Sequence, residues 1–129
     1  MLINGKGALN SNAVVNALNN RLDLSRIGII EAFVPIIAIG ELLYGVHKSV
    51  RASENRARLH GYLEDVIVLG CSMETADLYG KIKLALRRAG TPIPDNDMWI
   101  AAIALEDGLP IVTNDKHFTY IEGLEIVRY

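Results

Sequence analysis

The segment Trp99-Ile-Ala-Ala-Ile-Ala-Leu105 is apolar at every position. A helix that is apolar all round has no side to offer water, so it must lie buried among other elements. Its ends are marked. Asp95 or Asn96 supplies an N-cap, and Gly108 and Pro110 stop it after Asp107. We expect it to be the central buried helix of the fold, and the rest of the chain must supply what surrounds it.

The surrounding pattern is alternation. Short apolar runs at Lys6 to Leu9, Ala32 to Ile36, Val66 to Leu69, Ile111 to Thr113 and Leu124 to Val127 have the length of strands. The first is weakened by Gly5 and Gly7, and Pro35 confines the second to a sheet edge or to its own end. Helical segments fall between them. One runs from a Ser11 or Asn12 cap to about Asn20 and a short one covers Leu22 to Gly28. Ile39 to Lys48 is helical in composition but interrupted by Gly40 and Gly45, and Ser53 caps a helix to about Glu64. Met73 to Ala89 is the clearest amphipathic helix: Leu78, Ile82, Ala85, Leu86 and Ala89 share one face, with Gly90 and Pro92 ending it. Strands alternating with helices predict an α/β fold with a mostly parallel central sheet of about four or five strands and helices on both faces. With 129 residues, half of them hydrophobic, the chain is one domain, residues 1–129, with enough apolar side chains for a core.

The single cysteine, Cys71, excludes an intrachain disulfide and a cysteine-rich zinc site, and fits a reducing cytoplasmic location. The longest apolar run, Ala32 to Ile39, contains Pro35 and falls far short of the about 20 residues of a membrane span. We expect no membrane association, and no secretory leader is recognisable. A net charge of −2 excludes a protein that holds nucleic acid by bulk positive charge. The charge is nevertheless uneven. Lys48, Arg51, Arg56 and Arg58 face only Glu54 in their segment, Lys81, Lys83, Arg87 and Arg88 line the polar side of the amphipathic helix, and the stretch after Pro94 is acidic.

In a parallel α/β sheet, ligands bind beyond the C-terminal ends of the strands. The polar residues expected on that rim are Asn10 and Asn12, Glu41, then Asp95, Asn96 and Asp97, then Thr113, Asn114 and Asp115. Each acid has an ordinary explanation. Glu41 can share a solvated helix face with Lys48, Asp97 can serve a helix N-terminus, and Asp115 can hold a turn. Together, three carboxylates from distant parts of the chain suit an oxygen-ligated Mg²⁺ or Mn²⁺ rather than zinc. Such an ion activates water and stabilises charge on a phosphodiester. His47, His60 and His117 are dispersed, and each reads as a surface or packing residue rather than a ligand; His117, two places after Asp115, is the least distant of them from the site. Gly5-Lys6-Gly7 lacks the spacing of a phosphate-binding loop. Tyr44, Tyr62, Tyr79 and Trp99 fall at helical packing positions.

These segments resemble the PIN-domain family, and within it the VapC-type toxin ribonucleases. The resemblance runs from about Leu9 to Val127 and rests on PIIAIGELLYGVHKSVRASEN, ADLYGKIKLALRRAGTPIPDNDMWIAAIAL, LPIVTNDKHF and IEGLEI. It implies a metal-dependent endoribonuclease with an acidic quartet. Glu41 matches the second acid, Asp97 the third and Asp115 the fourth, as catalytic residues and metal ligands, and Thr113 matches a supporting hydroxyl. The departure is at the first acid, where the family pattern LLDTN is ALNSN: Asn10 replaces Asp, Ser11 replaces Thr and Asn12 is kept. Asn10 offers a carbonyl oxygen but no charge, which implies weaker ion binding and reduced activity. The resemblance also implies an RNA substrate, a homodimer and a small antitoxin partner covering the active site. Lys48, Arg51 and Lys116 are candidate contacts to RNA phosphates. A second reading keeps the fold and loses the chemistry: a catalytically inactive module that binds nucleic acid or antitoxin.

Overall fold

The computed structural model describes residues 4–129. Five strands form one sheet: β1 (Lys6–Leu9), β2 (Glu31–Pro35), β3 (Ile67–Leu69), β4 (Ile111–Val112) and β5 (Ile126–Val127). Their order is β3-β2-β1-β4-β5, and every pairing is parallel. The helices are α1 (Ser11–Leu18), α2 (Ile36–His47), α3 (Ala52–Leu63), α4 (Met73–Ala89) and α5 (Asp95–Glu106), with 3-10 turns at Leu24–Ile27 and Lys116–Tyr120. From β1 the chain steps outward through β2 to β3, then crosses back to β4 on the other side of β1. Right-handed crossovers put the helices of the outward steps on one face and those of the return on the opposite face. The direction reverses between β1 and β4, so the crevice for a ligand lies beyond the C-terminal ends of those two strands.

The core is built from both kinds of element. Leu9, Val14, Val34, Ile100, Ile103, Ile111, Val112 and Phe118 are all fully buried. In α5, Met98 and Ile100 through Ala104 are buried, so the helix that is apolar all round is indeed enclosed. Its Trp99 is only half-buried and stacks on Tyr79 of α4 with ring centroids 4.1 Å apart.

The structure corrects several local expectations. The weak strand at Lys6–Leu9 forms at the centre of the sheet, and Gly7 is needed there. A Cβ on Gly7 would stand 2.7 Å from Ile29 Cδ1 and 2.9 Å from Val112 Cγ2. Helix α2 starts directly after Pro35 and runs through Gly40 and Gly45 without a break. Each glycine costs a helix about 1 kcal/mol, and the burial of Ala38, Ile39 and Val46 offsets it. Helix α1 is capped by Asn10, neither by Ser11 nor by Asn12. Ser53 does not cap α3, which starts at Ala52, and neither Asp95 nor Asn96 caps α5, which follows Pro94 without a side-chain cap. Tyr44 is 66% exposed and packs in no core. On α4, Ile82 and Leu86 are buried, but Ala85 and Ala89 of the expected stripe face solvent, and the cap is a Ser72–Thr75 capping box. Among the described residues no helix is long and apolar enough to cross a membrane.

Candidate active site

Asn10 ends β1 and caps α1: its Oδ1 accepts from the Ala13 backbone N–H at 3.1 Å. Its Nδ2 donates to Thr113 Oγ1 at 2.9 Å, just past the end of β4. Both side chains are buried, at 5% and 0% exposure. The pair therefore bridges the two strands at the reversal point of the sheet. The Thr113 hydroxyl also accepts the Asp115 N–H at 2.9 Å, and Asp115 Oδ1 accepts the His117 N–H at 2.9 Å. Those bonds shape the turn after β4 so that Asp115 caps the following 3-10 turn and its carboxylate stays at the rim.

Asp97 reaches the same place from the first turn of α5. The His117 ring nitrogen Nδ1 lies 2.9 Å from Asp97 Oδ2 and 3.2 Å from Asp115 Oδ1. One donor atom from each of Asp97, Asp115 and His117 falls within 4.8 Å of the other two. Burial raises the Asp97 carboxyl above its ordinary value; the hydrogen bond to His117 opposes this, and the negative charges of Asp115 and Glu41 add to it. A carboxylate held in that condition is one that a cation would relieve.

Glu41 stands beside this cluster rather than in it. Its Oε1 accepts from Ser11 Oγ at 2.6 Å and its Oε2 from Asn96 Nδ2 at 3.4 Å. Asn96 thus ties the start of α5 to α2 across the crevice. Asp95 points elsewhere: it accepts from Tyr79 OH at 2.8 Å and from Lys83 at 3.1 Å on the outer surface, and those two hydrogen bonds hold its carboxyl below the ordinary value.

The donor set fits a divalent cation. Two carboxylates from two elements converge, an imidazole nitrogen joins them, and a third carboxylate and an amide lie alongside. The imidazole belongs to a histidine that reads in the sequence as a surface or packing residue. Its only signal there was its place two residues after Asp115.

The PIN domain family matches residues 9–124. The tRNA(fMet)-specific endonuclease VapC of Salmonella typhimurium is 36% identical over 91 residues, spanning 70% of this chain and 69% of that protein. The crystal structure of DNA-bound VapBC from Salmonella typhimurium superposes with a TM-score of 0.87 at 30% identity, covering 95% of this chain and 97% of the other. VapBC2 from Rickettsia felis, bound to a promoter DNA fragment, reaches 0.88 at 27% identity, with 96% and 98% covered. The chain belongs to the PIN-domain family.

In this PIN domain the basic candidates do not gather around the acids. Lys48 lies seven residues beyond Glu41 on the helix, about 10 Å along its axis, with its ammonium over the Tyr44 ring at 4.8 Å. Arg51 is exposed and pairs with Glu54 at 3.5 Å. Lys116 is exposed beside Asp115 and is the one candidate next to the cluster. Two other arginines line grooves that also hold site residues, and Arg58 there donates to Leu18 O and Asn19 Oδ1 at 3.2 Å. Arg58 of α3 lines a groove of about 440 Å³ that runs from Ser11 and Glu41 over Val15, Leu42 and Leu59. Arg21 lines a second groove of about 400 Å³ with Asn12, Asn114 and Asp115. Arg58 belongs to the basic segment noted in the sequence, whereas nothing in the spacing marks Arg21, which comes from the turn after α1.

Proposed function

We propose that this PIN domain is a metal-dependent endoribonuclease of the VapC toxin type, with activity lowered by the neutral Asn10. The observation that carries the reading is the convergence of Asp97 and Asp115 beside the Asn10–Thr113 bridge at the sheet's reversal point. The endonuclease and ribonuclease names of its VapC relatives support it.

Asp97 and Asp115 would hold Mg²⁺ or Mn²⁺, with Glu41 as a further ligand or as the acceptor that orients water. The ion would supply charge stabilisation at the scissile phosphate and a nucleophile at neutral pH. The chain's own residues prepare that place. Asn10 and Thr113 fix the two loop ends to each other. Ser11 and Asn96 aim the Glu41 carboxylate, leaving lone pairs on both oxygens for a water or an ion. Asn12 lines both grooves, one of which reaches Glu41 and the other Asp115, and an extended RNA strand would follow them. Arg58 and Arg21 line these grooves and Lys116 follows Asp115, so these cations, with Lys48 and Arg51, are the candidate phosphate contacts.

The apolar floor of the larger groove, with Arg58 on its wall, suits a segment of a small antitoxin that ends near the acids, and the VapBC complexes among the matching structures support such a partner. Assembly as a homodimer and a cytoplasmic location belong to the same reading.

The test is cleavage of a panel of structured RNAs with Mn²⁺ by the native chain, by Asn10→Asp and by Asp97→Asn. The expected order is Asn10→Asp fastest, native slower and Asp97→Asn inactive. A second reading, a binding module without catalysis, is favoured by one observation: Asn10 already uses both of its polar atoms inside the protein. It predicts antitoxin binding with no cleavage by any of the three.

A further inference from the structure

The proposed chemistry uses Asp97, Asp115 and Glu41, yet the His117 ring nitrogen Nδ1 lies beside two of those carboxylates. Nδ1 faces oxygens of two different carboxylates at 2.9 and 3.2 Å. A single N–H in the ring plane cannot point well at both. Nδ1 bonds to Asp97 without an ion, and both separations are also close to the spacing of adjacent donors around an octahedral ion with bonds of about 2.1 Å, roughly 3.0 Å. The ring is also held in position. The His117 backbone N–H donates to Asp115, and the next residue, Phe118, is fully buried, so the 3-10 turn is anchored in the core. Among the described residues, the other ring nitrogen has no protein partner.

We propose that His117 is a metal ligand through Nδ1, and that it makes this a site for Mn²⁺ in preference to Mg²⁺. The inference rests on the metal-dependent reading above and deepens it. Asn10 removes a charged oxygen ligand from the site, and the hard Mg²⁺ depends most on such ligands. An imidazole nitrogen adds a donor of intermediate softness, which the harder Mg²⁺ accepts less readily than Mn²⁺ does. The pair Asp97 and Asp115 supplies two negative charges, which balance one divalent ion without a third carboxylate.

The experiment is Mn²⁺ electron paramagnetic resonance on the untagged chain without RNA, with pulsed detection of ¹⁴N modulation, alongside titrations of Mn²⁺ and Mg²⁺. The native chain is expected to show ¹⁴N modulation on bound Mn²⁺. His117→Gln should abolish it and weaken Mn²⁺ binding about tenfold or more, while Mg²⁺ binding changes less than about threefold. His117→Asn, with melting curves for both variants, separates loss of the ligand from loss of the fold. Bound Mn²⁺ without ¹⁴N modulation, or modulation that survives in His117→Gln, overturns the ligand role and leaves the metal-dependent reading standing. If the native chain binds no Mn²⁺ at millimolar concentration, both fail.

Discussion

The Asn10 side-chain amide donates to the Thr113 hydroxyl at 2.9 Å, joining two loop ends that are 103 residues apart in sequence. The contact does two things at once. It closes the reversal point of the sheet, and it places a neutral group where the family pattern has a carboxylate. An aspartate would fit the same position, because Oδ1 serves the α1 cap in either case and the Thr113 hydroxyl can donate its proton to the second oxygen.

Asn10→Asp is therefore expected to fold normally, to bind Mn²⁺ about tenfold tighter and to raise RNA cleavage by at least that factor. Asn10→Ala should lower stability by about 1 kcal/mol through loss of the cap, and by more where Thr113 is left without its donor. Calorimetric titration and thermal melting measure the two effects. Equal cleavage by all three chains would show that position 10 does not limit the reaction.

Asp97 is held above its ordinary pKa chiefly by burial, so in the metal-free chain its charge opposes folding. The sign follows from proton counts. A native carboxyl with a raised pKa holds its proton where the unfolded chain has released it. Stability then declines as pH rises from about 4 through the native value. Asp97→Asn should therefore raise the melting temperature in chelator at pH 7, with a gain that shrinks as pH falls toward 4. The same variant should lose the melting shift that Mn²⁺ gives the native chain. A native chain that melts no differently with and without Mn²⁺ would count against the site.

Tyr62 buries its hydroxyl with no hydrogen-bond partner among the described residues, and burial, aided by Asp65, raises its pKa. Tyr62→Phe is expected to gain about 1 kcal/mol in urea unfolding at pH 7. The gain should widen above pH 10, where the unfolded phenol ionises while the buried one keeps its proton and the native protein loses stability. A loss of stability on this substitution would mean that the hydroxyl has a partner in solution.

Gly7→Ala places a methyl group 2.7 Å from Ile29 Cδ1 and 2.9 Å from Val112 Cγ2 at the centre of the sheet. It should cost about 1 to 3 kcal/mol, read as a lower urea midpoint at unchanged slope. Gly45→Ala, with open space around its Cβ position, should instead stabilise α2 by up to about 1 kcal/mol.

Much of this protein is written locally. The apolar ring of α5, the period of α4 and the alternation of short apolar runs determine an α/β sheet with helices on both faces, since each pattern states how its own element must be buried. The rim positions of Asp97 and Asp115 were legible for the same reason: they fall at a helix start and just after a strand, whereas Glu41 lies inside α2. The caps were not legible, because several polar residues compete at each helix start and only the path of the chain selects Asn10 over Ser11. The composition of the cluster was decided by tertiary structure alone. His117 joins Asp97 because the turn after β4 folds back onto the first turn of α5. Arg58 shares a groove with Glu41, and Arg21 shares one with Asp115, which their distance in sequence does not show. A residue's burial pattern depends on its neighbours in the chain, but the partner of a charged or polar atom depends on which distant segment the fold delivers to it.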